Sequence, residues 1–286
     1  MSTSAALEAE SVLWPHTLEA AKDEARLIQD SLLPSGTLRG EGFEIAFRFS
    51  PLGEVGGDFA DFFQLPNGLV GLYMGDVVGK GLAAAMYAAL VMGTIRGINK
   101  TGEDTATVLQ ILNRRLRVRA VPGRYSSTIY ALFDPRSGEL CFSNAGVPLP
   151  LLVSSAGSRS LGQGGFPSAM FSGASYENHS VHLSPGDAVL FATDGLHELR
   201  NENNEDLSWG KLGEIWNQCR SKSADESLDF IFDEVQSFSG AGRRHDDITA
   251  IALKVPMEPA ASRPAAPAKS SEGDGIYVLQ GSGGEL

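Results

Sequence analysis

Short strand-like runs dominate the middle of this chain of 286 residues. Seven segments are rich in β-branched, aromatic or leucine residues and are bounded by Gly, Pro, Asn or Asp, which is the usual signature of β-strands. They span residues 43–49, 69–74, 127–133, 139–143, 180–183, 188–192 and 248–255. The segment 134–138, Asp-Pro-Arg-Ser-Gly, lies between two of them and predicts a hairpin, because Pro presets the turn and Gly accepts a positive φ.

Helical periodicity is limited to a few segments of the same region. Apolar residues recur at helical spacing after Gly81, over 104–118 and over 225–238. These helices are too few to cross over between parallel strands. We therefore predict an α+β fold, a sandwich of two antiparallel sheets with helices packed outside.

The chain is predicted to divide into three regions. Residues 1–40 carry small or apolar residues alternately four and three apart between Trp14 and Leu32, which indicates one amphipathic helix ending near Pro34. This helix either packs on its own domain, or mediates homodimerisation or relays a signal. Residues 41–255 form the main domain. Residues 256–286, rich in Pro, Ala and Gly, are expected to be a disordered tail whose apolar patch at 276–279 is either solvated or docks on the domain or a partner.

Composition excludes several classes of protein. The formal net charge of −12 disfavours nucleic acid as a partner, because nucleic-acid binders carry a basic face. Cys141 and Cys219 have no C-x-x-C spacing, so neither a disulfide framework nor a thiolate metal site is expected. The N-terminus lacks the features of a signal peptide, and the longest apolar run, 82–92, is too short to span a bilayer. We expect a cytoplasmic protein without membrane contact.

Four aspartates, each beside a glycine or a second aspartate, carry the functional signal: Asp58, Asp76, Asp194 and Asp246. Three of the four are expected to follow a strand-like run. Each motif alone is typical of a turn or a helix cap, but four at strand termini favour a carboxylate cage. Mg²⁺ and Mn²⁺ prefer such oxygen ligands. Asp247 competes with Asp246, because the pleat of a strand directs only one of two adjacent side chains inward.

A phosphate-binding loop is a weaker interpretation of the segment 75–81. The spacing from Gly75 to Lys80 is one residue short, and Gly81 stands where Ser or Thr is required. The carboxylate of Asp76 would also repel a phosphate unless a cation lay between them. A metal ligand at Asp76 resolves this conflict.

The order of these motifs resembles that of the bacterial PPM-type serine/threonine phosphatases, the branch that includes RsbU and the stage II sporulation protein E phosphatase. The resemblance covers residues 24–255. Beyond a helical segment at 24–34, it rests on Gly56-Gly57-Asp58-Phe59, the segment 75–81, Asn144-Ala145-Gly146, Pro185-Gly186-Asp187, Thr193-Asp194-Gly195 and Asp246-Asp247-Ile248-Thr249.

The resemblance implies a four-layer α-β-β-α sandwich, with 41–255 as the catalytic domain. It also implies a binuclear Mn²⁺ or Mg²⁺ site between the sheets, whose bridging water attacks phosphorus directly. The implied ligands are Asp58, Asp76, the carbonyl of Val77, Asp194 and Asp246, with Asp247 as a supporting or substitute ligand. The implied substrate is a phosphorylated protein, a STAS-type anti-sigma-factor antagonist of a bacterial signalling pathway.

The proton donor to the leaving group and the docking residues stay open at this level. The chain has neither a Gly-x-Ser-x-Gly elbow nor a cysteine-nucleophile signature. Water is the default acid, while His197 and His245 either donate or are surface groups. Val147, Leu149 and His197-Glu198 depart from the family pattern without removing any of the aspartates. A basic cluster either docks an acidic or phosphorylated partner or is a solvated helix face: Arg114, Arg115, Arg117, Arg119 and Arg124.

Two other classes compete with the phosphatase. One is a catalytically weak or inactive module that keeps the fold and binds partners. The other is a different two-metal hydrolase, such as a nuclease or a cyclic-nucleotide phosphodiesterase, which the acidic net charge disfavours.

Overall fold

The computed structural model describes residues 18–98, 102–240, 242 and 244–257. Two predicted features, the beginning of the N-terminal helix at Trp14 and the apolar patch at 276–279, lie outside these residues. The helices are α1 (Leu18–Leu32), α2 (Leu82–Ile98), α3 (Thr105–Val118), α4 (Asp194–His197), α5 (Trp209–Asn217) and α6 (Ala224–Ser239). The strands are β1 (Thr37–Gly40), β2 (Phe43–Ser50), β3 (Phe59–Gln64), β4 (Val70–Val77), β5 (Ser126–Asp134), β6 (Glu139–Ala145), β7 (Leu151–Ser154), β8 (Gly157–Ser160), β9 (His179–His182), β10 (Ala188–Ala192) and β11 (Ile248–Lys254).

The strands form two antiparallel sheets. One has six strands in the order β1-β2-β11-β10-β7-β8, and the other has five in the order β3-β4-β5-β6-β9. Residues of both sheets, such as Ile45 and Ile251 from the first and Met74 and Ile129 from the second, are fully buried in one cluster between them. The central core is therefore the space between the two sheets.

Each sheet also buries its outer face under helices. Trp216 of α5 and Ile231 of α6 pack on the six-stranded sheet. Val91 of α2 and Leu112 of α3 pack on the five-stranded sheet. Along β4, Tyr73 belongs to this outer cluster, whereas Leu72 and Met74 face the core between the sheets, as the period of a strand requires. The predicted four-layer α-β-β-α sandwich is confirmed.

All seven predicted strands overlap an observed strand, and the predicted hairpin joins β5 to β6 with Gly138 at φ +73°. Sequence analysis missed β1, β3, β7, β8, α4 and α5. Their segments are four to nine residues long, so their apolar periodicity is too short to detect without the neighbours that bury them. No helix of the described ranges is long and apolar enough to cross a bilayer.

A buried lysine joins β11 to the turn between α5 and α6. Lys254 is 5% exposed, and its ammonium donates to the carbonyls of Cys219 and Lys222 at 2.5 Å and to the hydroxyl of Ser227 at 3.1 Å. Burial lowers the pKa of Lys254 from 10.5 to about 8. The amine therefore satisfies carbonyls beyond the C-terminus of α5, where a cation is electrostatically favoured.

We expect Lys254→Met to cost about 2 kcal/mol at pH 8, because it leaves buried carbonyls without a donor. Between its folded pKa of about 8 and its unfolded pKa of 10.5, Lys254 binds fewer protons in the folded state. The wild type therefore gains stability as pH rises through this window, and the difference between the two proteins should widen by about 1.6 kcal/mol from pH 8 to pH 9.5. Urea unfolding of both proteins at each pH measures it. A difference that does not change with pH contradicts the lowered pKa.

Candidate metal centre

The four aspartates lie at or near the ends of strands from both sheets, and they meet where these strand ends face each other. Asp76 is the penultimate residue of β4, and Asp194 directly follows β10 as the first residue of α4. Asp58 and Asp246 instead precede β3 and β11. The expectation that three of the four follow a strand was therefore wrong, because the glycine-containing loop at 51–57 separates Asp58 from β2.

Asp58 is the most enclosed of these carboxylates, with 2% of its surface exposed. Its Oδ2 accepts hydrogen bonds from the hydroxyls of Thr193 at 2.8 Å and Thr249 at 2.5 Å. Thr193 directly follows β10 and Thr249 lies in β11, so both belong to the six-stranded sheet. Burial, followed by the negative charge of Asp76, raises the pKa of Asp58 well above its usual value, although both threonine bonds act to lower it. The protein groups around Asp58 therefore compensate its negative charge only in part.

Asp76 is also a carboxylate with a raised pKa among other negative charges, but it is less buried than Asp58. Burial raises its pKa to about 7, and the negative charges of Asp194, Asp246 and Asp247 add to the effect. Like charges act on one another in this way only when they lie close together in a medium of reduced polarity. The structure thus brings together the carboxylates that the sequence predicted to converge.

The adjacent acids Asp246 and Asp247 have different environments. Asp247 is 4% exposed, and its two oxygens accept backbone N–H groups of Leu52 at 2.7 Å and Gly57 at 2.8 Å. Asp246 is more exposed, and its Oδ2 lies 3.0 Å from Nζ of Lys80. The carboxylate of Asp247 therefore fixes the loop that leads to Asp58. In the described part of the chain, the carboxylate of Asp246 contacts the ammonium of Lys80 and accepts the backbone N–H of Asp247.

A guanidinium fixes the segment that carries these two acids. Arg244 donates from Nε to the carbonyl of Asp246 at 2.9 Å and from Nη1 to the hydroxyl of Ser50 at 2.7 Å. A further bond joins its Nη2 to the carbonyl of Ser50. Arg244 therefore ties the start of β11 to the end of β2. Sequence analysis missed this residue, because its partner Ser50 is distant along the chain.

Two glycines are required by close approach. A Cβ on Gly57 would lie 2.8 Å from the carbonyl oxygen of Val77 and 2.9 Å from Oδ1 of Asp76. A Cβ on Gly195 would lie 1.9 Å from the carbonyl oxygen of Asp247. Glycine at these positions leaves room beside the oxygens of Asp76 and Val77, and lets Asp194 and Asp246 share one edge of the site.

The donor set suits a hard divalent cation. Its donors are carboxylate and carbonyl oxygens, and the raised pKa values of Asp58 and Asp76 mark negative charge that a cation would relieve. Within the described ranges, no group of three or more His, Cys, Asp or Glu side chains is close enough to hold a metal ion as it stands. A cation bound at this cluster would therefore require its carboxylates to move closer together.

A small cleft opens beside the cluster. Its walls are formed by Asp76, Ser127, Gly146, Val147, Pro148, Thr193 and Asp194. The side chain of Asn144 stabilises the turn 144–147, which forms one wall of the cleft. It donates to the carbonyl of Val147 at 2.8 Å and accepts the N–H of Val147 at 2.9 Å. Asn144-Ala145-Gly146 is thus a structural turn at the mouth, and Val147, which departs from the family pattern, faces the cleft.

The two candidate histidines do not join the cluster through their rings. His197 packs edge-on against Trp209 with ring centroids 4.9 Å apart. The side chain of His245 is exposed, and its main-chain carbonyl accepts a bond from Lys80. Among the described residues, neither ring bonds to one of the aspartates. Besides Arg244, sequence analysis missed the roles of Thr193 and Thr249, although both stand in the motifs beside Asp194 and Asp247.

Comparison with known proteins assigns the chain to a family. The family model for stage II sporulation protein E (SpoIIE) matches residues 66–256, a range that includes Asp76, Asp194 and Asp246. The chain belongs to the SpoIIE family. It is 24% identical over 229 residues to the phosphoserine phosphatase RsbU of Bacillus subtilis strain 168, an alignment that covers 79% of this chain and 68% of RsbU.

Solved structures support the fold of this SpoIIE-family chain. The SiaA-PP2C domain of Pseudomonas aeruginosa superposes with a TM-score of 0.73 at 21% identity, covering 89% of this chain and 99% of that domain. RsbX, solved in complex with magnesium, superposes with a TM-score of 0.60 at 14% identity, covering 77% of this chain and 98% of RsbX. The sandwich described above is therefore the fold of PPM-type phosphatases.

Proposed function

We propose that this SpoIIE-family member, a protein serine/threonine phosphatase, hydrolyses phosphoserine and phosphothreonine at its aspartate cluster with two divalent cations, Mn²⁺ or Mg²⁺. The observation that carries the proposal is the convergence of the carboxylates. Burial, followed by the negative charges of Asp194, Asp246 and Asp247, raises the pKa of Asp76 to about 7. An assembly of this kind is stable when cations neutralise it.

The ligands proposed for the cations are Asp58, Asp76, the Val77 carbonyl, Asp194 and Asp246. When bound, the cations supply an activated water and neutralise charge on the phosphoryl group. Asp247 is proposed as a positioning residue, because both of its oxygens already hold backbone amides. This assigns the direct contact to Asp246, a choice that the sequence alone left open.

The remaining residues of the site have supporting roles in this proposal. Thr193 and Thr249 orient the carboxylate of Asp58 through their hydroxyls. Lys80 places a positive charge beside Asp246, where it can also meet a phosphoryl oxygen of the substrate. The leaving alkoxide takes its proton from solvent, since neither candidate histidine ring bonds to the cluster.

The finer parts of the proposal concern the cellular setting. The resemblance to RsbU supports a phosphorylated STAS-type protein as the substrate and a cytoplasmic location. Exposed Leu27 and Ile28 on α1 support homodimerisation through this helix. The catalytic domain is proposed to span 41–255, with the helical segment before it and the tail after it as regulatory elements.

The activity test is the Mn²⁺ dependence of p-nitrophenyl phosphate hydrolysis. We expect turnover with Mn²⁺ or Mg²⁺, loss of turnover with a chelator and recovery when the ion is restored. Independently of turnover, Mn²⁺ at about 100 times its Kd should stabilise the fold by about 2.7 kcal/mol, measured by thermal or urea unfolding. Stabilisation without turnover would favour an inactive partner-binding module. Activity on a phosphodiester but not on phosphoserine would favour a different two-metal hydrolase.

A further inference from the structure

Two phenylalanines lie exposed on the loop between β8 and β9, close to the cleft. Phe166 and Phe171 are 59% and 49% exposed, yet their rings contact each other edge to face with centroids 5.0 Å apart. The apolar surface that two neighbouring aromatic rings leave exposed to water is unfavourable, and such surface often marks a binding site. Nothing in the proposed chemistry at the aspartates uses this pair.

The backbone around the pair is held in place at several points. Asn113 of α3 accepts the N–H of Ala169 at 2.8 Å and donates to the carbonyl of Phe171 at 3.1 Å. Arg117 donates to the carbonyl of Ala169 at 3.3 Å. Ser168 exchanges two backbone hydrogen bonds with Ser126, of 2.8 and 2.9 Å. The aromatic pair is therefore preorganised, which lowers the entropic cost of binding.

The same loop connects the cleft to the basic part of the protein. On one side, a Cβ on Gly146, which lines the cleft, would lie 2.8 Å from Pro167. On the other side, Asn113 and Arg117 bring α3 against it. Residues 105–133 contain five arginines and no Asp or Glu, in a chain whose net charge is −12. Within the described residues, none of these arginines forms a salt bridge with a carboxylate.

We propose that Phe166, Phe171, Arg114 and Arg117 form one surface, the aromatic–basic face, that docks an acidic segment of the phosphoprotein substrate bearing an apolar side chain. The inference rests on the proposed function, because the phosphate at the aspartates brings the neighbouring substrate residues onto the adjacent loop. The apolar side chain packs on the phenylalanine pair. Acidic side chains face the arginines, whose positive charge is complementary and has no competing carboxylate partner.

Fluorescence anisotropy with labelled peptides that carry a non-hydrolysable phosphonate analogue of phosphoserine tests the proposal on the full chain, with Mn²⁺ present so that the analogue can bind at the aspartates without turnover. One peptide carries Glu and Leu around the phosphoserine, and a matched peptide carries Lys and Ser at those positions. We expect the first to bind at least about tenfold more tightly. Phe166→Ser combined with Phe171→Ser, and separately Arg114→Glu combined with Arg117→Glu, should each weaken its binding about tenfold. Lys211→Glu combined with Arg220→Glu, at exposed sites on α5 and on the turn after it, makes the same charge change of −4 and should alter binding less than about twofold.

Equal binding of the two peptides, or wild-type affinity in both double variants, would overturn the proposal. A dimer in sedimentation velocity that the phenylalanine variant dissociates would also overturn it, in favour of a second copy as occupant. Thermal unfolding checks the fold of each variant, and the arginine pair provides an independent test if the phenylalanine variant is unfolded. Peptide preference without p-nitrophenyl phosphate turnover by the wild type would support the aromatic–basic face and reject the proposed catalytic function.

Discussion

Asp76→Asn is expected to lower metal-dependent turnover by about three orders of magnitude, because it removes a charged oxygen from the centre of the cluster. The substitution keeps the size of the side chain, so the loss tests charge and metal binding rather than packing. Initial rates on p-nitrophenyl phosphate at saturating Mn²⁺ measure it. Asp194→Asn should behave similarly, since Asp194 is the first contributor of negative charge to the raised pKa of Asp76.

The fold should survive Asp76→Asn and become more stable without metal. Asp76 has a folded pKa of about 7 against a usual value of 3.8, so its folded state binds more protons than the unfolded state between these values. Stability contributed by the protonated form is complete below pH 3.8 and is lost as pH rises through about 7. At pH 8, where the wild-type carboxylate is charged, the neutral amide should raise the metal-free melting temperature and abolish most of the stabilisation by Mn²⁺.

Asp233→Asn on α6 is the matched control, because its side chain is exposed and lies on the outer helical layer. It should retain wild-type turnover and metal response. Full activity in both Asp76→Asn and Asp194→Asn would mean that the ligand assignment is wrong.

Gly195→Ala is expected to destabilise the fold strongly, because the added methyl group meets backbone atoms. The new Cβ would lie 1.9 Å from the main-chain carbonyl of Asp247 and 3.4 Å from Cβ of Asp246. A backbone oxygen cannot move aside as a flexible side chain does, so either α4 or the start of β11 must shift. We expect a loss of about 3 kcal/mol in urea unfolding. We also expect weaker Mn²⁺ binding, because Asp194 and Asp246 no longer keep their relative positions.

Gly93→Ala is the control for this substitution. Gly93 lies in the exposed face of α2, and a Cβ there would meet no atom within 4 Å. Alanine has the higher helix propensity, so the control should gain about 0.5–1 kcal/mol. If Gly195→Ala unfolds at the same urea concentration as the wild type, the close approach of α4 to the start of β11 is wrong.

Much of the fold could be predicted because the buried strands of this protein consist mostly of apolar residues. β10 is buried along its whole length, and the segment 188–192 was predicted with the same bounds. β7 and β8 were missed because they are four residues each, too short for a period to be recognised, and β8 is largely exposed. Their hairpin is instead stabilised by pairing with β10 and packing against α5, which are long-range contacts.

The sequence by itself determined the chemistry of the site: four aspartates beside glycines or a second acid, in an order typical of one phosphatase family, with no covalent nucleophile motif. Only the tertiary structure decided how Asp246 and Asp247 differ. Their identical side chains are adjacent in the chain, and the difference comes from the amides of Leu52 and Gly57 that reach Asp247 from about 190 residues away. The same holds for Phe171 and Arg117, because hydrogen bonds from Asn113 to Phe171 and from Arg117 to Ala169 bring the loop against α3. Residue type and spacing along the chain do not reveal such contacts.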